Sequence, residues 1–420
     1  MLVDFSVKNF RSLRDEQTLS MVSSTDRSHL ATHTSETGVR SVSRLNRAAV
    51  VYGANASGKS NLIFALVTMR NLVLHSTSML DAARAEQYTP YRLERSSAGD
   101  PTEFEIVVLL DGTRYQYGFS YDAQRIRDEW LMVYKTGKGQ SWFDRRWNDA
   151  KREHEWTPFS SYFTGSKEIW RQATRSGALF LTTAIQLNNE QLKPLWNWFM
   201  DDFVIVNWNG ALGIGQTLQR MDDPAFKDRA LSLLRSADLH IADIEVESVP
   251  GHQVAFRLEP GKAPELSTSS QDLPVVKYVH KLEGEDAVSF DGRFESAGTQ
   301  RLLSYIGPIL DVLESGKLLV VDEFDSSLHP MVVRFVLGLF HDPAVSKHGA
   351  QLWMTTHDTS LLDTELLRRD QFWFMDKDER QASRLYPLTD FSPRKGEALE
   401  KAYLRARYGG VPFISRTQLH

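Results

Sequence analysis

Gly53-Ala54-Asn55-Ala56-Ser57-Gly58-Lys59-Ser60 fits the phosphate-loop pattern, GxxxxGK followed by Ser or Thr. An apolar strand precedes it at 48–52 and a helical stretch follows at 61–74, the setting that the pattern requires. The spacing answers to chemistry. Glycines let successive backbone N–H groups turn inward around the α- and β-phosphates of a nucleotide, and the following helix offers them its positive end. The expected cradle is Gly53, Asn55, Ala56, Ser57, Gly58, Lys59, Ser60 and Asn61, with Lys59 reaching the β- and γ-phosphates and the Ser60 hydroxyl ligating Mg²⁺. The expected ligands are ATP and Mg²⁺.

Further along, Leu318-Leu319-Val320-Val321-Asp322-Glu323 is an apolar strand ending in two carboxylates. A strand this apolar is buried on both faces, so its terminal acids emerge at the crevice where α/β proteins bind ligands. Asp322 is expected in the Mg²⁺ shell and Glu323 as the general base that polarises water. Asp325-Ser326-Ser327 offers a plainer account, an acidic cap for the next helix. His357 ends the next apolar strand, 351–356, where a neutral imidazole can donate to a γ-phosphate; pairing with Asp358 is the structural alternative. Ser296-Ala297-Gly298-Thr299-Gln300 opens the helix before the Asp-Glu strand. It reads locally as an N-cap, and as an anion site once its place in this series is counted.

The surrounding chain is that of an ordinary folded protein. With 420 residues it exceeds one growing core, so two lobes or a domain with a large insertion are expected. Cysteine is absent, which excludes disulfides, thiolate metal sites and cysteine nucleophiles. No apolar run is long enough for a membrane span, and the start alternates like a strand without the segments of a signal peptide, so a cytoplasmic protein with no membrane partner is expected. The net charge of −5 speaks against a DNA-coating protein, though a local basic groove remains open. Residues 104–134 look like antiparallel strands with a hairpin turn at Asp111-Gly112, and 296–313 is helical with a kink or break at Gly307-Pro308. The aromatics Trp170, Trp196, Trp198 and Trp208 fall in the middle segment, where Trp196 and Trp198 with Phe199 read as core or as an interface.

Phosphate loop, Ser-x-Gly-x-Gln, Asp-Glu and His in this order resemble the ABC-type ATPase heads, particularly the branch with the SMC, RecF and OLD proteins. Asn9-Phe10-Arg11-Ser12-Leu13 is similar to the segment with which those heads begin. The resemblance covers the first seventy-odd residues and the last third. It implies that Arg11 and Ser12 lie near the nucleotide, and that Ser296, Gly298 and Gln300 form a signature completing the ATP site of another copy. ATP would then hold together a head-to-tail homodimer or a higher even-numbered oligomer. Gln186 is the candidate for the glutamine linking Mg²⁺ to the second lobe, although glutamine is common on helices for no special reason. The expected fold is thus α/β, an ABC-type P-loop ATPase head with a mixed-sheet core, an antiparallel β lobe and a mainly helical inserted region. Its expected divisions are 1–75, 76–140, 141–285 for the insertion, and 286–420.

Leu328-His329-Pro330 stands where the SMC and transporter pattern carries an Asp at position 329, and resembles OLD-related ATPases of bacterial anti-phage systems, especially stand-alone ones of the RloA kind. The tail from Phe391-Ser392-Pro393-Arg394-Lys395-Gly396 to Gly409-Gly410-Val411-Pro412-Phe413-Ile414 is similar within that group. The insertion lacks heptads, so no coiled-coil tether is expected. Nor is there room after His357 for a nuclease domain, so any nuclease or toxin activity is expected in a separate effector protein. The alternative is a RecF-like DNA-repair ATPase clamping DNA, for which the cationic residues Arg394, Lys395, Arg405 and Arg407 would bind nucleic acid; a solvated face is their other reading. An ATP-gated clamp without turnover is a third class, and a transporter ATPase fits least.

Overall fold

The computed structural model describes all residues except 95–96, 136, 207–212, 238, 258–264, 283–285, 395 and 413–420, and the side chains of 251–257, 265–271 and 273. Trp208, Lys395 and the Phe413-Ile414 pair therefore lie outside the described residues.

In chain order, β1 (Leu2–Lys8), β2 (Gln17–Ser20), α1 (Leu30–His33), β3 (Thr34–Val39) and β4 (Val42–Asn46) lead to β5 (Ala48–Gly53). Helices α2 (Lys59–His75) and α3 (Asp81–Gln87) follow, then β6 (Thr102–Leu110), β7 (Thr113–Tyr121), β8 (Ile126–Tyr134), β9 (Gln140–Asn148) and β10 (Glu153–Trp156). Next come α4 (Lys167–Ala173), α5 (Phe180–Gln186), α6 (Lys193–Asp201), β11 (Phe203–Val206), α7 (Gly215–Leu218) and α8 (Pro224–Ser236). Strands β12 (Asp243–Arg257), β13 (Glu265–Lys281) and β14 (Ala287–Asp291) precede α9 (Ala297–Ser315) and β15 (Leu318–Val321). The chain closes with α10 (Pro330–His341), β16 (Gln351–Thr355), β17 (Phe372–Lys377), β18 (Ser383–Pro387) and α11 (Leu399–Leu404).

The chain forms two compact units. The first comprises Met1–Ala211, Asp311–Ser326 and Val333–His420; the second comprises Leu212–Leu310 and Ser327–Val332. Two sheets build the first unit. One is the six-stranded sheet β11-β15-β16-β5-β17-β18, parallel except for its last strand. Every residue of β5, β15 and β16 is buried, as runs such as Leu318-Leu319-Val320-Val321 require of a covered parallel sheet. The other is the antiparallel sheet β10-β9-β8-β7-β6-β1-β2, whose β6–β7 turn is Asp111-Gly112 with both residues at positive φ, as the sequence predicts. Between these elements helix α2, apolar on most of its circumference, buries Leu62, Ile63, Leu66, Met69, Leu72 and Val73 in a continuous apolar core. Trp198 and Phe199 belong to that core, with Trp196 packed on it, which settles the aromatic cluster as packing.

The second unit holds α7, α8, the N-terminal part of α9 and the antiparallel sheet β12-β13-β14. Here the inserted region departs from its expected mainly helical character. Helices account for 167–236 only in part, and from Asp243 the backbone pairs through fifteen registered positions of β12 against β13. The region expected as one insertion is also divided, 141–211 falling in the first unit. The break expected as one alternative at Gly307-Pro308 is absent, since α9 runs continuously with Pro308 inside it. At this point Thr217 enters the ladder: its hydroxyl accepts from the Gly307 N–H at 3.0 Å and donates to the Leu303 carbonyl at 2.9 Å. A side chain thus bridges the ladder position that these two backbone groups would otherwise close directly.

Candidate functional site

The phosphate loop joins the C-terminal end of β5 to the N-terminus of α2, in the first unit. Gly58 has φ +114, a conformation that a side chain resists, and a Cβ there would lie 2.2 Å from the Ser383 hydroxyl. Ala56 also sits at positive φ, so the loop curls through two left-handed positions. Ser57 is buried, and among the described residues its hydroxyl has no hydrogen-bond partner. Lys59, also buried, folds its ammonium back onto the carbonyls of Gly53 at 2.7 Å and Ala54 at 3.2 Å. Burial pulls this ammonium down to about 8, against the opposing charges of Asp322, Glu323 and Asp325.

Parallel pairing of β15 with β16 sets Val321 opposite Met354, and so carries Asp322 to Thr355. The buried Thr355 hydroxyl donates to Asp322 Oδ1 at 2.6 Å and accepts from the Glu323 N–H at 2.8 Å. Glu323 itself is exposed and held at φ +47. That conformation is costly for a residue that carries a Cβ, and such outliers gather where a side chain must be aimed. The His357 N–H donates to the Asp325 carboxylate, 3.2 and 3.3 Å from its two oxygens. Burial, then the Lys59 charge, hold the His357 imidazole below its ordinary value, so it is neutral at pH 7. Asp358, the alternative partner, instead caps the following turn by accepting from the Ser360 N–H.

Residues 55–61, Glu323, His357 and Lys377 enclose one cavity of about 280 Å³. The N-terminal turn adds a wall beside it. Ser12 Oγ accepts from Asn61 Nδ2 at 2.8 Å, Arg11 reaches Asn61 Oδ1 at 3.4 Å, and the Arg11 guanidinium lies over the Phe64 ring at 4.2 Å. Asn9 of the same motif is structural: its amide donates to the carbonyls of Ser97 and Asp100, and its side-chain oxygen accepts from the Tyr91 N–H.

One expectation changes. Gln186 donates to Thr77 Oγ1 at 2.6 Å, just past the far end of α2 from the phosphate loop. At ~1.5 Å per residue, the 17-residue α2 separates the two sites by roughly 25 Å, so Gln186 is not a metal or γ-phosphate ligand. Arg407 pairs with Glu397, while Arg394 and Arg405 are exposed, and the tail is held by Tyr403 and Tyr408 stacking on Phe374 of β17. Ser296, Gly298 and Gln300 lie in the second unit. There Ser296 Oγ caps α9 by accepting from the Thr299 N–H at 3.0 Å, and Gln300 donates to the Glu295 carbonyl. A Cβ on Gly298 would stand 2.7 Å from the Ser327 carbonyl, so only glycine admits that loop. Ser296, Gly298 and Ser327 share the lining of a cavity of about 610 Å³ within this unit. In that lining His329 accepts from the Met331 N–H, capping α10.

Sequence reasoning missed Thr355, Lys377 and Ser383. Thr355 carried a signal, one of two hydroxyls between the apolar run Leu352-Trp353-Met354 and the His; Lys377 and Ser383 did not.

The residues fit a nucleotide with its cation. An unpartnered buried hydroxyl on Ser57 and a lysine resting on loop carbonyls suit phosphate oxygens. One hydroxyl, Ser60, with one carboxylate, Asp322, is the sparse donor set that Mg²⁺ takes when phosphates supply the rest. Among the described residues no helix is long and apolar enough to cross a membrane. No curated protein matches the chain. Among solved structures, the SMC head domain from Thermotoga maritima is similar at 15% identity, covering 92% of this chain and 98% of that one, with a TM-score of 0.39. An Smc head domain with an extended coiled coil, bound to the C-terminal domain of ScpA and derived from Pyrococcus furiosus, is similar at 10% identity, covering 97% and 99%, with a TM-score of 0.40. Residues 48–363, from the strand before the phosphate loop to just beyond the His357 turn, match the family described as "AAA domain, putative AbiEii toxin, Type IV TA system", and the chain belongs to that family of P-loop ATPase domains.

Proposed function

We propose that this chain binds Mg·ATP in the cavity of its first unit and hydrolyses it with Glu323 as general base. In this reading it works as a head-to-tail pair that governs a separate effector, a nuclease or toxin, in bacterial anti-phage defence of the RloA-like kind. The observation that carries the chemistry is the convergence of Lys59, Glu323 and a neutral His357 on one phosphate-sized cavity, with Glu323 aimed by a strained backbone. Glu323 takes a proton from water as the water oxygen attacks the γ-phosphorus, and the β–γ bridging oxygen leaves with ADP. Lys59 exchanges its loop carbonyls for β- and γ-oxygens, and His357 donates to a γ-oxygen. Magnesium, through Ser60 and Asp322, would supply charge neutralisation at those oxygens. Arg11 and Ser12 border the nucleotide, and Ser296, Gly298 and Gln300 of a second copy close the site.

The pairing rests on the ordered motifs, and the separate effector on the resemblance to stand-alone ATPases of anti-phage systems; the family description, a putative toxin of a type IV toxin–antitoxin system, names this domain and not a partner. The test is Glu323→Gln. Turnover should fall by about 10²–10³-fold while ATP is retained and a dimer accumulates. Unchanged turnover would remove Glu323 from the mechanism. A trapped ATP in a monomer would remove the pairing and leave the hydrolysis. Salt-sensitive, ATP-dependent capture of duplex DNA without any partner would replace the effector reading with the DNA clamp.

A further inference from the structure

Strand β17 alternates cleanly. Phe374 and Asp376 face the C-terminal tail, where Phe374 stacks on Tyr403 and Tyr408 and Asp376 accepts from the Tyr386 hydroxyl. Trp373 and Met375 face the apolar core, and Lys377 is the next residue on that side. The direct cross-strand partner of Lys377 is Ser383, at the start of β18. Ser383 is pinned. Its N–H donates to the Ser12 carbonyl at 2.7 Å, and its hydroxyl lies 2.6 Å from the Ser57 carbonyl and 2.7 Å from Ser12 Oγ. The β17–β18 hairpin is thereby fastened to the phosphate loop and to the N-terminal turn at once, which fixes where Lys377 stands: in the lining of the phosphate cavity.

The charges around it do not consume it. Asp376 is engaged by Tyr386, and Asp378 accepts from the N–H groups of Arg380 and Ala382 and pairs with Arg14 and Arg384. Facing it across the cavity are Lys59, Glu323 and His357; a second ammonium beside Lys59 is repulsive unless an anion lies between them. We infer that Lys377 is a second cationic contact for the phosphates of the bound nucleotide, supplied by the strand after the His357 turn and held in place by Ser383. This inference rests on the nucleotide-binding reading given above.

The test is equilibrium binding of ATP and of ADP, with Mg²⁺, to the full chain and to Lys377→Ala, Lys377→Glu and Lys377→Arg. Lys59→Ala serves as the control for the site and Arg384→Ala as the control for charge outside the cavity. Lys377→Ala should weaken ATP roughly tenfold and Lys377→Glu more, Lys377→Arg should recover most of the loss, and Arg384→Ala should change affinity less than about twofold. A loss for ATP alone assigns the contact to the γ-phosphate, and an equal loss for ADP assigns it to the inner phosphates. Wild-type affinity for both nucleotides in Lys377→Ala and Lys377→Glu overturns the inference while leaving the ATP site intact. An unmodified chain that binds neither nucleotide, or a Lys59→Ala variant that binds normally, overturns the underlying reading and this inference with it. Lys377 is exposed at a strand end, so thermal unfolding of all variants should coincide with the unmodified chain.

Discussion

Two charged clusters in the first unit make opposite use of the same chemistry. Around Glu129 the carboxylate is saturated: both side chains of the Glu129–Arg145 pair are fully buried, and the carboxylate also accepts from Tyr117 and from the N–H groups of Phe180 and Leu181, while Arg145 Nη1 alone in the pair has no partner among the described residues. Arg145 further donates to the Ala178 carbonyl and lies over Trp156. In the phosphate cavity Ser57 lacks a partner, Lys59 borrows loop carbonyls, and Glu323 is exposed in a strained conformation. The difference separates a charge that holds the fold from charges poised for a ligand. A fully buried, fully hydrogen-bonded carboxylate marks the first, and an exposed carboxylate on a strained backbone beside a lysine resting on loop carbonyls marks the second.

Breaking the saturated cluster should have the largest effect. Glu129→Ala strands a buried guanidinium and the first N–H groups of α5, and should destabilise the chain by about 3–5 kcal/mol in denaturant unfolding. A loss below about 1 kcal/mol would erase the distinction drawn here. Thr355→Val is a sharper probe because Thr355 serves both demands. Removing its hydroxyl leaves the Glu323 N–H and one Asp322 oxygen without it, at about 1–3 kcal/mol of stability. Turnover should fall further than nucleotide affinity, because the general base loses its aim; a parallel fall in both would mean that Thr355 only stabilises the strand.

How much of this was legible in the sequence follows the same division. The phosphate loop, the Asp322-Glu323 pair and His357 could be read because each role is carried by a contiguous run at the end of an apolar strand. Lys377 and Ser383 could not, because their meaning comes from hairpin register between β17 and β18, which a single sequence does not display. The long pairing of β12 with β13 was hidden for a compositional reason. Its second strand passes through Ser267, Thr268, Ser269, Ser270, Gln271 and Asp272, with no apolar alternation to betray it. Asn9 was noticed for its place beside Arg11 and Ser12, but its work is to satisfy backbone groups of 91–100, something only the fold reveals.

The Lys59 ammonium gives a pH test of the open cluster. Its value of about 8 without nucleotide should rise when phosphates surround it, so binding takes up a proton above that pH. Affinity should be full below about pH 8 and decline as pH rises through the higher, bound value, by at most tenfold per unit. Calorimetry in buffers of different ionisation enthalpy at pH 9 should register the uptake. Affinity flat to pH 9.5 would place Lys59 outside the phosphates.

The smallest effect is expected at Gln186. Its residue type and its place at the end of a helix invite a catalytic reading, yet its amide is spent on Thr77 at the opposite end of α2. Gln186→Ala should leave nucleotide affinity and turnover within about twofold and stability within ~0.5 kcal/mol, since the contact is exposed. A selective loss of turnover with unchanged affinity would require that α5 move along α2 when nucleotide binds. That would be hard to reconcile with Glu129, whose two oxygens fasten the N–H groups of Phe180 and Leu181 in the first turn of the same seven-residue helix. The saturated cluster thus bears on the open one: by anchoring α5, it keeps Gln186 at the far end of α2 from the phosphates.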